Sequence, residues 1–139
     1  MLQYKLNKMK NLILLILVFL ASNVYSQTTY NSSVTTRYKS EGEIIKKPRT
    51  ITVSNSEITI SNFIGGTKPL NLIVNEIKEK EDDWDGLMIW YYCTSTDQDV
   101  ISGKKSEFII KMKKSNSTEL EVYQKVDDVT FIKTLLSLR

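Results

Sequence analysis

The stretch Leu70–Cys93, LNLIVNEIKEKEDDWDGLMIWYYC, decides the fold. Leu70 to Val74 is apolar and strand-like, Ile77 continues it, and Lys78-Glu79-Lys80-Glu81 then puts lysines on one face and acids on the other, so the strand is expected to project beyond the core. Asp85-Gly86 is a two-residue turn signal, because a type I′ turn needs positive φ at both central positions. A wider loop from Glu81 to Gly86 also fits, since sequence does not set the register. Leu87 to Thr94 returns. Neighbours along a strand point to opposite faces, so Trp90 and Tyr92 share one side while Tyr91 takes the other with Ile89 and Cys93. One of these aromatic sets must lie off the main core.

The same alternation recurs on both sides of this hairpin. Val34, Thr36 and Tyr38 alternate with Thr35, Arg37 and Lys39 up to Ser40-Glu41-Gly42. Pro48 cannot donate to a ladder, so either it faces an edge or the next strand begins at Arg49; the favoured strand is Arg49 to Ser54, with Ile51 and Val53 on one face. After Asn55-Ser56, Ile58 and Ile60 complete a tight hairpin. Gly65-Gly66-Thr67-Lys68-Pro69 is a loop; with no Gly-Lys-Ser/Thr and no helix after it, it is not a phosphate loop. Ser95–Lys105 is a polar loop, Phe108, Ile110 and Met112 mark another strand, Ser115-Asn116-Ser117 a turn, and Leu120 and Val122 a strand with one wet face ending at Asp127-Asp128. Val129 to Arg139 is β-branched enough to favour strand over helix.

These elements predict an all-β fold, a seven- to eight-stranded antiparallel meander that forms a small closed or partly open barrel. A two-sheet β-sandwich is the alternative. A lipocalin-like description would rest on fold analogy alone, because no motif carries it.

The amino terminus reads as a secretory signal: Lys5, Lys8 and Lys10, an apolar run from Leu12 to Ala21, and small or short residues at Val24 and Ser26. The run is shorter than the roughly 20 residues that span a bilayer. Cleavage is expected after Ser26, giving a signal peptide over 1–26, a flexible tail over 27–33, and a single β-domain over 34–139 with no membrane insertion. Removing 26 of the 139 residues leaves 113, enough for one core. All three leader charges are lysines, so the mature chain carries 16 basic and 16 acidic residues and the whole-chain charge of +3 falls to zero. That balance argues against nucleic acid as a partner. The expected location is the periplasm or the extracellular space, and the expected state a monomer. Cys93, the sole cysteine, cannot form an internal disulfide and is expected to pack as a small hydrophobe.

The chain has no histidine, which removes the usual activators of serine and cysteine nucleophiles and the commonest zinc ligand. No cofactor, metal or catalytic residue is expected. Glu81-Asp82-Asp83-Trp84-Asp85-Gly86 resembles the start of a calcium loop, but the twelfth position is Tyr92 and not a bidentate glutamate. Glu119 and Glu121, two apart on one strand, are about 7 Å apart and would be the pair for a carboxylate enzyme; alternating acids on any wet strand show the same spacing. Binding is the better expectation, for a small apolar ligand or a protein partner, through the hairpin 70–94. The candidate residues are Trp84, Trp90, Tyr91, Tyr92, Phe108 and Tyr123, since aromatic rings combine contact area with a polar handle. A purely structural or interaction module, docking another envelope or extracellular protein through an exposed edge or the Trp84 tip, is the second expectation.

Overall fold

A computed structural model describes residues 3–4, 7–13, 26–38, 42–63 and 68–139. Most of the apolar leader and the Gly65-Gly66 loop lie outside the described residues. Residues 7–13 are helical, and no helix among the described residues is long and apolar enough to cross a membrane. Eight antiparallel strands follow in chain order: β1 (Thr28–Tyr38), β2 (Gly42–Val53), β3 (Glu57–Ile60), β4 (Leu70–Asp82), β5 (Gly86–Gln98), β6 (Lys105–Lys113), β7 (Glu119–Lys125) and β8 (Phe131–Leu138). Each pairs with the next, and β8 pairs with β1 to close a barrel. Val129 to Arg139 is therefore chiefly strand, as its β-branched residues predict.

Period-two alternation fills the lumen. Ile51, Ile58, Ile60, Leu72, Ile110, Leu120, Val122 and Leu136 are buried from water, and Tyr91, Cys93, Phe108 and Met112 join the same cluster. An eight-stranded barrel has an interior about wide enough for its own side chains. Here apolar side chains occupy most of it.

Closure corrects two expectations. Residues 27–33 were expected as a flexible tail, yet from Thr28 onward they are strand: Thr28 pairs with Val53, Ser32 with Arg49, and Ser32 also with Leu138 of β8. These residues are mostly small and polar, but a ladder is made by backbone groups, and without them residues 49–53 of β2 would expose an open edge. Tyr30 adds a side-chain anchor by packing on the core. The second strand also starts before Arg49. Pro48 lies where the β1–β2 register shifts between the Ser32–Arg49 and Val34–Lys46 pairs, so its missing N–H falls in a bulge.

The tip of the β4–β5 hairpin is not the two-residue turn expected from Asp85-Gly86. Asp82 pairs with Gly86 across Asp83, Trp84 and Asp85, and Gly86 takes φ +75°. One carboxylate oxygen of Asp82 accepts from the backbone N–H groups of Trp84 (2.9 Å) and Asp85 (3.1 Å). This local capture favours a three-residue loop, and the two bonds hold the Asp82 carboxyl below its usual pKa.

Because Ile110 is fully buried amid this cluster, Ile110→Ala should cost about 2–5 kcal/mol of stability, measured by urea unfolding. A loss under about 1 kcal/mol would mean that the lumen is loosely packed.

Candidate functional site

The six expected residues separate into three places. Tyr91 and Phe108 point into the lumen, where they are buried and belong to the core. Their proposed role in a shared binding surface with Trp90 is not supported by this placement. Trp84 stands at the hairpin tip, 94% exposed. Trp90, Tyr92 and Tyr123 lie half-buried on the outer wall. The opposition between Trp90/Tyr92 and Tyr91/Cys93 follows the alternation read from the sequence.

On that wall the rings are interleaved with lysines from neighbouring strands. Cross-strand register brings Trp90 opposite Lys78 of β4 and Lys111 of β6, and Tyr123 opposite Lys133 of β8. The Lys80 and Lys111 ammonium groups lie 3.8 and 3.7 Å from the Trp90 ring centre. Lys111 is also 4.3 Å from the Tyr123 ring, Lys133 is 5.6 Å from it, and Lys78 is 5.2 Å from Tyr92. Trp90 and Tyr92 themselves sit 6.4 Å apart and tilted. The result is a continuous cation–π row over β4 to β8. Each such contact is worth about 0.5–1 kcal/mol at an exposed site, so the row also steadies the wall.

Charge compensation along the row is uneven. Lys133 reaches Glu121 at 2.7 Å, and the Tyr123 hydroxyl donates to the other Glu121 oxygen at 2.9 Å. Burial disfavours the charge on Lys133, but the hydrogen bond and negative charge of Glu121, with Tyr123, together outweigh it and raise its pKa. Burial is the main reason the Tyr123 pKa is raised, with Glu121 adding to it. Lys78 pairs with Glu76 at 3.3 Å. Among the described residues, no carboxylate is within ion-pair distance of Lys80 or Lys111. Lys80 donates to the Tyr92 hydroxyl at 3.3 Å. Burial lowers the Lys111 pKa, Glu121 works against that, and the neighbouring Lys133 and Lys80 add to the lowering. The middle of the row is thus a cationic centre on an aromatic base.

A groove of about 350 Å³ continues from Tyr92, floored by Tyr92, Thr94 and Ile109 and flanked by Lys125, Asp128 and Phe131. A smaller opening of about 190 Å³ lies at one mouth of the barrel beside Tyr30, Val53, Ile89 and Tyr91.

The acids singled out in the sequence have other partners. Asp82 is held by the tip backbone, Asp85 pairs with Lys113 at 3.2 Å, and Glu121 is bound as described, so Glu119 and Glu121 do not form an isolated acid/base pair. Among the described residues, no group of three or more acids or cysteines is arranged to hold a metal ion.

Sequence reasoning missed two features. The period-two spacing of the lysines is visible in the sequence, but their position over rings on adjacent strands depends on register. Arg49 was missed although Ile51 and Val53 were assigned to one face, and the same parity places Arg49 there too. It is 2% exposed, and its Nε and Nη1 donate to the carbonyls of Asn62 and Lys47, both at 3.0 Å.

No protein family, curated protein or solved structure matches the chain.

Cys93 is 3% exposed and burial pushes its thiol pKa up to about 12. A disulfide reagent at pH 8 should therefore leave the native protein unmodified and label it fully in denaturant; rapid native labelling would contradict the packing. A raised thiol pKa favours the neutral form in the folded state, so this group gives no pH dependence below its ordinary value of 9.0. Stability should decline as pH rises from there toward 12, and Cys93→Ala should remove that part of the decline.

Proposed function

We propose that the chain is exported, released by cleavage after Ser26, and acts without catalysis as a binding domain whose docking face is the outer wall around Trp90. The observation that carries this reading is the Trp90 ring between Lys80 and Lys111, two lysines without a carboxylate partner among the described residues. A cationic centre fixed on an aromatic base suits a protein partner that presents acidic side chains, because complementary charge steers encounter and the rings supply contact area. The filled lumen supports placing the face outside, in preference to a lipocalin-like internal cavity for a small apolar ligand. The leader pattern of Lys5, Lys8, Lys10 and the apolar run supports export. The cut after Ser26 would leave β1 intact, since that strand begins at Thr28.

The second reading uses the tip. Trp84 is almost fully exposed, and a large apolar ring on a projecting hairpin suits insertion into a partner's pocket. In that version the lysine row only covers the aromatic wall.

With Trp84→Ala, Trp90 becomes the sole tryptophan and its fluorescence reports the wall directly. Poly-L-glutamate should change that emission saturably at low salt, the change should fade at high ionic strength, and adding Lys80→Gln and Lys111→Gln should abolish it. No change in the Trp84→Ala protein would reject the wall as an acid-binding face. Affinity purification separates the two readings: loss of a co-purifying protein on Trp84→Ala, with retention in the double lysine variant, would assign docking to the tip. Native mass spectrometry of the purified protein should show no bound apolar small molecule; a reproducible adduct of lipid-like mass would return the small apolar ligand reading.

A further inference from the structure

We infer that the polar corner of the lumen around Arg49 is a binding site for a small oxyanion, a carboxylate or phosphate group. This site is separate from the outer wall and does not depend on the function proposed for it. Five polar or charged residues are buried among the described residues, and four of them, Ser32, Thr35, Arg49 and Thr134, fall on the adjacent strands β8, β1 and β2. The fifth, Ser95, bonds Asp97 and Ser106 on the far side of the barrel order, and the remaining buried residues are hydrophobic, so this asymmetry needs a physical reason.

The ladder brings the four together. Arg49 stands opposite Ser32, and Arg37 opposite Thr134, with Thr35 between Ser32 and Arg37 along β1. Paired residues project to the same side of a sheet, so Arg37 shares the lumen side with the buried Thr134. Arg37 is next to the end of β1 and half-buried, while Arg49 is 2% exposed. They mark the outer and inner ends of one polar strip.

Among the described residues, three buried donors on this strip have no hydrogen-bond partner: Arg49 Nη2, Arg37 Nε and Thr35 Oγ1. Two belong to guanidinium groups, and among the described residues no carboxylate pairs with either. Glu43 is opposite Arg37 in the ladder and still forms no ion pair with it. The Arg49 bonds go to neutral carbonyls, which accept its protons and leave its charge unbalanced. Buried charges are ordinarily paired, and an orphaned donor retains its full desolvation cost.

A water molecule would satisfy one donor without offsetting the charge. An oxyanion does both, and its planar or tetrahedral oxygens match a guanidinium fork, with the Thr35 hydroxyl as an additional donor. Ile51 and Leu136, both 0% exposed, pack beside the strip and limit the guest to a compact group.

The test is thermal unfolding of the full chain at constant ionic strength and pH 7 in sodium chloride, sodium acetate or sodium phosphate. The native protein should gain about 5 °C in Tm for each tenfold rise in the free concentration of the binding anion above its Kd. Comparing acetate with phosphate tells which oxyanion is preferred. Thr35→Val and Arg37→Gln should each weaken the response at least tenfold in apparent Kd, and Arg49→Met should abolish it; if Arg49→Met does not fold, the other two variants carry the test. Lys80→Gln with Lys111→Gln should leave it intact, which separates this site from the wall. An equal response to chloride, an unchanged response in Thr35→Val and Arg37→Gln, or a crystal structure from phosphate with water alone at Arg49 Nη2 would overturn the inference.

Discussion

The backbone ladder between β1 and β8 is the constraint on which the rest depends. It joins the first strand to the last, and once it is made every strand of the barrel has two neighbours over at least part of its length. A closed eight-stranded sheet then divides its residues into a narrow lumen and an outer wall, with no third place for a side chain. The three consecutive aromatic residues Trp90, Tyr91 and Tyr92 cannot all be accommodated inside. Tyr91 enters the core, and the other two rings are left on a surface that lysines from both flanking strands partly cover.

Much of this could be read from residue order. Alternation in β3, β6 and β7 identifies both the strands and their buried faces, because each has an apolar residue at every second position. The first half of β1 was hidden for the opposite reason: Thr28, Thr29, Asn31, Ser32 and Ser33 have no apolar period, and what orders them is backbone pairing with β2, joined by β8 from Ser32 onward. Pro48 hid the first half of β2, since a bulge that accommodates a proline is a property of two strands and not of one. The same limit applies to the candidate site. Parity within β5 separates Trp90 from Tyr91, whereas the lysines above Trp90 come from β4 and β6 and require the register between strands.

The lumen and the wall place positive charge in different environments. On the wall, Lys80 and Lys111 keep access to water and lie against ring faces. Inside, Arg49 has only carbonyl oxygens as partners among the described residues, and burial weakens its hold on its proton relative to a free arginine. Arginine remains charged under such conditions because its intrinsic pKa is so high. A lysine at the same position could shed its proton and become neutral, so the choice of arginine keeps a fixed charge inside the barrel.

The outer half of β4 has a consequence for assembly. β3 pairs only as far as Ile73, so residues 75–82 have β5 on one side and no strand on the other among the described residues. A free edge of this length could recruit the same edge of a second copy. Its Lys78-Glu79-Lys80-Glu81 alternation opposes that recruitment. In a twofold antiparallel alignment centred on Glu79, with the outer faces kept continuous, Lys78 meets Lys80 and Glu79 meets its own counterpart. Like charges directly opposite each other destabilise a strand pair, so the edge is coded against matching itself while remaining open to a strand with a different charge pattern.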